Sequence, residues 1–212
     1  MSPAPGADDA VRVIAIRQSA PGRLLVCLDD GGEILSTPGT VTELRLAVGR
    51  ELDVEGLERL RRASLLALAR EKALELVSRR PLSRRELAGK LRQRGFDADT
   101  AEACVAWIAE HGFIDEPGYA AAVVRHCAAK GFGAARVRAE LMRRGIPREL
   151  LDEALAAMPE DGAKLDRLIA ARLKDPADRD AVRKLSAALY RRGYSGEEIR
   201  AALARFHTDI ED

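Results

Sequence analysis

Three stretches decide the fold: LRQRGF at Leu91–Phe96, LMRRGI at Leu141–Ile146 and LYRRGY at Leu189–Tyr194. Each is a leucine, two spacers, an arginine, a glycine and a bulky apolar residue. Gly95, Gly145 and Gly193 stand 50 and then 48 residues apart. Four residues before each leucine lie Leu87, Val137 and Leu185, so two apolar side chains share one helix face. Six residues past each glycine lie Ala101, Leu151 and Ile199. Ten past lie Val105, Leu155 and Leu203, and thirteen past lie Ile108, Met158 and Phe206. Those offsets again trace one face of a helix. Each phrase therefore predicts a helix that ends at its glycine, in a left-handed C-cap, and a second helix a few residues on. Asp97 or Asp99, Pro147 and Ser195 stand where the second helices begin.

A further helical stretch precedes each pair: Leu65–Ser78, Pro117–Ala129 and Gly162–Lys174. Pro81, Gly131–Gly133 and Pro176 link these stretches to the phrase helices. Ser83 and Glu86 match a capping box at the start of the first phrase helix. The unit is three helices in about 45 to 50 residues, too small to bury a large core alone, so units are expected to stack.

The first 64 residues read differently. Val11–Gln18 alternates apolar and polar, as a half-buried strand does. Pro21-Gly22 turns the chain into the apolar run Arg23–Leu28. Asp29–Gly32 is a hairpin turn before a third strand at Glu33–Ser36. Thr40–Leu46 and Val54–Arg62 look helical, separated by Gly49. The expected fold class is mainly α: tandem three-helix repeats in an elongated curved array, with a small β-rich N-terminal segment. The expected divisions are a disordered leader at 1–10, a hairpin and helix segment at 11–64, and repeats at 65–114, 115–158 and 159–212.

Composition bounds the function. Of 212 residues, 47% are apolar and 33% charged, and the formal net charge is +1. A bulk polycation is excluded, as is a membrane span, because no apolar run reaches the length required. The leader MSPAPGADDA lacks the pattern of a secretory signal. Cys27, Cys104 and Cys127 are odd in number and form no CxxC pair, which suits a reduced, cytoplasmic protein. Arginine far outnumbers lysine, favouring bidentate contacts to carboxylate or phosphate.

No catalytic motif stands out: there is no phosphate loop, no GxSxG and no HExxH. Gly131-Phe132-Gly133 follows a helix, so a helix-to-helix turn is the simpler reading. His126 and Cys127 are adjacent and point to different faces, and Cys104 and His111 lack partners, so no metal or cofactor is expected. Trp107 fits a core position. The phrase arginines Arg94, Arg144 and Arg192 complement the negative end of their own helices. The middle unit carries a surplus beyond that: Arg125, Lys130, Arg136, Arg138, Arg143 and Arg144 crowd one helix, a loop and the next helix. Arg136 and Arg143, seven apart, share a face. Such a strip suits phosphate or an acidic protein surface, and a solvated face is the alternative.

These residues carry a resemblance. Residues 112–146, GFIDEPGYAAAVVRHCAAKGFGAARVRAELMRRGI, resemble the RecX family of bacterial RecA regulators. The matching positions are Gly112, Phe113, Ile114, Asp115, Tyr119, Ala120, Lys130, Gly131, Arg136, Glu140, Leu141, Arg144, Gly145 and Ile146. Residues 73–96, with Arg80-Pro81 and Ser83, Glu86 and Leu87, are similar to the family's first repeat. The third unit is more divergent. The resemblance implies three tandem three-helix repeats in a curved rod. It implies a non-enzymatic monomer that binds the groove of the RecA–DNA filament and limits recombinase, ATPase and co-protease activity. Recombination, DNA repair and the SOS response would then be its setting, with single- and double-stranded DNA as further partners. A helical DNA-binding protein that competes with RecA for DNA, or a scaffold unrelated to DNA, is the alternative reading.

Overall fold

The computed structural model describes residues 10–159, 162–175 and 177–211, with no account of the side chains from residue 207 on. The expected leader, apart from Ala10, lies outside the described residues, as does Pro176. The chain forms two compact units. One comprises the residues up to Arg80 together with Leu87–Ile114; the other comprises Pro81–Glu86 together with the residues from Asp115 on.

The first unit opens with β1 (Val11–Ala20), β2 (Arg23–Leu28) and β3 (Glu33–Ser36), then α1 (Pro38–Glu43) and a two-residue β4 (Glu51–Leu52). The sheet is antiparallel, in the order β3-β2-β1-β4. Alternation buries Val13, Val26 and Leu28 on one face, where they meet Leu46, Leu52 and Leu60. The three strands expected from the sequence are present. β4 was not expected, because a two-residue strand carries no periodicity of its own.

The helix α2 (Val54–Arg79) is a single element of 26 residues. It replaces the two stretches Val54–Arg62 and Leu65–Ser78, so the expected division between residues 64 and 65 falls inside a helix. No glycine or proline interrupts the sequence between them. Ser64 lies there because its hydroxyl donates to Ser36 Oγ at 2.8 Å, pinning the helix to the sheet. Asp53 caps α2 by accepting from Gly56 N. Likewise α1 ends at Glu43 rather than Leu46, since Arg45 takes a left-handed φ of 50°. After α3 (Arg84–Arg92), α4 (Ala98–Glu110) packs on α2, and Asp97 caps it through Thr100 N. Trp107 is half-buried rather than central: the Arg70 guanidinium lies 4.7 Å over its ring, and Phe113 and His111 flank it.

The second unit holds two three-helix clusters. The helices α5 (Glu116–Ala129), α6 (Ala134–Arg143) and α7 (Arg148–Ala156) bury Val123, Val124, Val137, Leu141, Ile146 and Leu151. The helices α8 (Gly162–Ala170), α9 (Arg179–Arg191) and α10 (Gly196–Glu211) bury Ile169, Leu185, Leu189, Tyr194 and Ile199. α8 stops at Ala170, short of the expected Lys174, while Leu173 still reaches the core.

The repeated phrase has a local cause. Gly95, Gly145 and Gly193 have φ of 90°, 77° and 92°. In each copy the apolar residue after the glycine donates its N–H back to the carbonyl of the phrase leucine: Phe96 to Leu91, Ile146 to Leu141, and Tyr194 to Leu189, at 3.3, 3.1 and 3.3 Å. This is the six-to-one closure of a helix C-terminus, which also brings the two apolar side chains together.

Two copies have a second cause. A Cβ on Gly145 would stand 2.5 Å from Arg85 Cβ, and one on Gly193 would stand 2.3 Å from Arg136 N. Each glycine is pressed against the start of another helix. Ser83 Oγ donates to Arg144 O at 2.5 Å, while Gly133 N donates to Arg192 O at 2.9 Å and Ala135 N to Gly193 O at 3.1 Å. Helix starts carry spare N–H donors and helix ends spare carbonyls; the Gly193 joint pairs the two directly, while at the Gly145 joint the Ser83 hydroxyl supplies the donor. Ser83 and Glu86 form the expected capping box at the first of these starts, and Glu116 accepts from Arg84 N beside it.

Candidate nucleic-acid interface

The cation-rich segment is built on α5, the turn Lys130–Gly133 and α6. The sequence predicted six basic residues here, and the structure divides them. Three are paired with other side chains of the protein, though Arg138 and Arg143 are themselves exposed. Glu140 accepts from Arg143 Nε at 2.8 Å and Nη2 at 2.7 Å, and from Arg144 Nε at 2.7 Å. Arg144 also donates to Tyr119 Oη at 2.6 Å. Arg138 pairs with Asp152 of α7. The two-arginine grip, led by the Arg143 hydrogen bonds, holds the Glu140 carboxyl down at about 2 against an ordinary 4.5, although partial burial works the other way.

The other three are available. Arg125, Lys130 and Arg136 are exposed, and none has an ion-pair partner among the described residues. Arg136 rests 5.8 Å over the Phe132 ring. Arg136 and Arg143 therefore differ in kind despite sharing a helix. The seven-residue spacing placed both on α6 but could not show that Glu140, three residues before Arg143, would neutralise it.

The structure adds a residue to this cluster. Arg192, from the third phrase, lies 5.9 Å over the same Phe132 ring and donates to Lys130 O and Gly131 O, both at 3.3 Å. Phe132 thus has two guanidinium groups near its ring. The only signal for Arg192 in the sequence was the recurrence of the phrase. Lys164 of α8 reaches the same region, donating to Ala128 O at 2.6 Å and Ala129 O at 2.8 Å at the end of α5.

Beside the turn lies a groove of 780 Å³ between the second and third helical clusters. Phe132, Leu155, Met158 and Tyr194 give it apolar walls, with Arg125, Lys164 and Arg205 among its charged lining and Glu198 opposing them. Among the described residues, no group of three or more His, Cys, Asp or Glu side chains could hold a metal ion. Burial raises the Cys104 thiol to about 11 and pushes the Cys127 thiol up as well, leaving both far from the thiolate form a nucleophile needs. No helix among the described residues is long and apolar enough to cross a membrane.

The fold defines a class of protein: tandem three-helix domains behind a small antiparallel sheet, with cations gathered on the middle domain. The family profile for RecX matches this pattern domain by domain. Its first three-helix domain matches residues 69–107, its second 115–155 and its third 168–203. The regulatory protein RecX of Xanthomonas axonopodis pv. citri (strain 306) is 42% identical over 145 residues, spanning 67% of this chain and 88% of the relative. That of Halorhodospira halophila (strain DSM 244 / SL1) is 35% identical over 145 residues, spanning 67% and 90%. The chain belongs to the RecX family.

Two crystal structures share its fold. One, of a regulatory protein RecX, aligns at a TM-score of 0.72 with 22% identity, covering 90% of this chain and 97% of the other. RecX from Lactobacillus salivarius aligns at 0.60 with 21% identity, covering 69% and 99%. All three family matches begin at or after residue 69, so the sheet and the first part of α2 lie ahead of them.

Proposed function

We propose that this chain is a non-enzymatic, monomeric regulator in the bacterial cytoplasm. It docks on the RecA–DNA filament and restrains recombination, ATP hydrolysis and co-protease activity, and with them DNA repair and the SOS response. Family membership supports the regulatory role. The choice of contact surface rests on one observation: Arg125, Lys130 and Arg136 stand exposed, with no ion-pair partner among the described residues, around a turn whose remaining cations are engaged. An arginine already neutralised by a carboxylate has little to offer a phosphate. An unpaired one releases a condensed counterion for each contact it makes.

The test is a double variant, Arg125→Glu with Arg136→Glu, measured for binding to RecA filaments on single-stranded DNA. Binding is expected to weaken about 10-fold or more while the helical circular-dichroism signal stays intact. Arg143→Ala, whose partner is internal, is expected to leave binding within about 3-fold of the parent. Equal losses from both variants would show that the division into free and committed cations is wrong. Salt dependence separates docking on the filament from simple competition for DNA. A pure DNA competitor loses affinity steeply with salt, by a slope of about 0.7–0.9 per phosphate contact.

A further inference from the structure

The three phrase helices end alike and are surrounded differently. At Arg144-Gly145 and at Arg192-Gly193, the start of another helix fills the space beside the glycine and donates to the freed carbonyl. Each incoming helix enters on a small residue, Ser83 or Gly133. At Arg94-Gly95 the backbone has the same left-handed turn and the same closing hydrogen bonds. Yet no described residue lies within 4 Å of the place a Cβ would take, and no donor among the described residues reaches Arg94 O. Arg92, Gln93, Arg94 and Gly95 are all exposed.

The two filled joints show what such an end accepts. Spare carbonyls need hydrogen-bond donors, and a helix start presents up to four N–H groups in the matching direction. A nucleic-acid backbone offers mainly acceptors and satisfies no carbonyl. The cations around the open end are Lys90, Arg92 and Arg94, with Asp97 two residues past the glycine and Glu75 close enough to Arg94 to feel its charge. Acidic side chains in the first turn of an incoming helix suit both its own dipole and these cations. At the Gly145 joint the incoming helix carries Glu86 in its first turn, whose charge adds slightly to the field at Arg143, whereas α6 at the Gly193 joint has no acidic residue in its first turn.

We infer that the Arg94–Gly95 end of α3 is a docking site for the N-terminus of an α-helix from a partner protein, one with a small N-cap residue and an acidic first turn. The partner helix takes the place that Ser83 and Gly133 take at the other two ends. The inference rests on the proposed function, in that the partner helix belongs to the protein subunits of the filament.

The test is Gly95→Asn in the full chain. Asparagine tolerates the left-handed region, so the helix still closes, while its side chain occupies the docking space. The thermal midpoint is expected to move by no more than about 4 °C. Affinity for RecA filaments on single-stranded DNA is expected to fall about 10-fold or more, with affinity for free single-stranded DNA unchanged. Lys90→Glu with Arg92→Glu removes the complementary charge without touching the turn and is expected to show the same selective loss. Parent-like filament affinity in both variants overturns the docking site and leaves the proposed function standing. Loss of free-DNA binding in Gly95→Asn overturns it too, since the end would then be reading nucleic acid. A parent chain with no affinity for the filament overturns both.

Discussion

Gly95 and Gly193 occupy the same place in the same six-residue phrase, close their helices with the same bond and have nearly the same φ, yet they meet different surroundings. Gly193 is in backbone contact with Gly133 and Arg136, whereas no described residue lies within 4 Å of the Cβ position at Gly95. One phrase therefore serves two ends. Its leucine, glycine and apolar residue terminate a helix wherever it occurs, and the absent Cβ becomes a second requirement only where another helix abuts. A sequence repeat records the first need uniformly and does not reveal where the second applies.

The largest expected effect separates the two glycines. Gly193→Ala meets both left-handed strain and collision with Arg136, and is expected to cost about 3 kcal/mol or more. Gly95→Ala meets strain alone and is expected to cost about 1–2 kcal/mol. Chemical denaturation of the two variants measures the difference, and equal losses would erase the distinction between a filled and an open end.

Ser83→Ala comes next. It removes both the cap on Glu86 N and the donor to Arg144 O at a fully buried site, with an expected cost of about 1–2 kcal/mol. The same change at Ser195 removes only a cap, the one to Glu198 N, and is expected to cost less, at about 1 kcal/mol.

Glu140→Gln is expected to cost about 1 kcal/mol near neutral pH, since one carboxylate serves two arginines. The acid dependence has a definite sign. The folded carboxyl is held at about 2, below its ordinary 4.5. Its stabilisation is complete above the ordinary value and fades as pH falls from there toward 2. Parent and variant stabilities are therefore expected to converge in that acid range, and a gap that persists at the acid end would mean Glu140 acts through packing. The smallest effect on stability is expected at Arg94→Ala, a few tenths of a kcal/mol, because within the chain that exposed guanidinium mainly complements its own helix end through Lys90 O.

Much of the helical body was legible in the sequence because periodicity, glycine and capping residues act locally. Asp97, Ser83 and Ser195 cap as their positions suggest, and Gly131–Gly133 is a turn between helices. What escaped was set by distant partners. Ser64 looked like a boundary and is instead a buried hydroxyl bound to Ser36. β4 exists because Val11 and Arg12 pair with it across the chain. At the candidate interface, residue type and spacing located the cluster but could not sort it. Which arginines remain free depends on Glu140, Asp152 and Tyr119, and the contribution of Arg192 depends on a joint formed by residues about sixty positions apart.

The most direct measurement is ATP hydrolysis by RecA on single-stranded DNA, with this protein added well below the RecA concentration. A regulator that restrains filament growth lowers the steady-state rate at substoichiometric ratios, and the Arg125→Glu, Arg136→Glu variant does so less effectively. An unchanged rate at every ratio up to equimolar would contradict the proposed function.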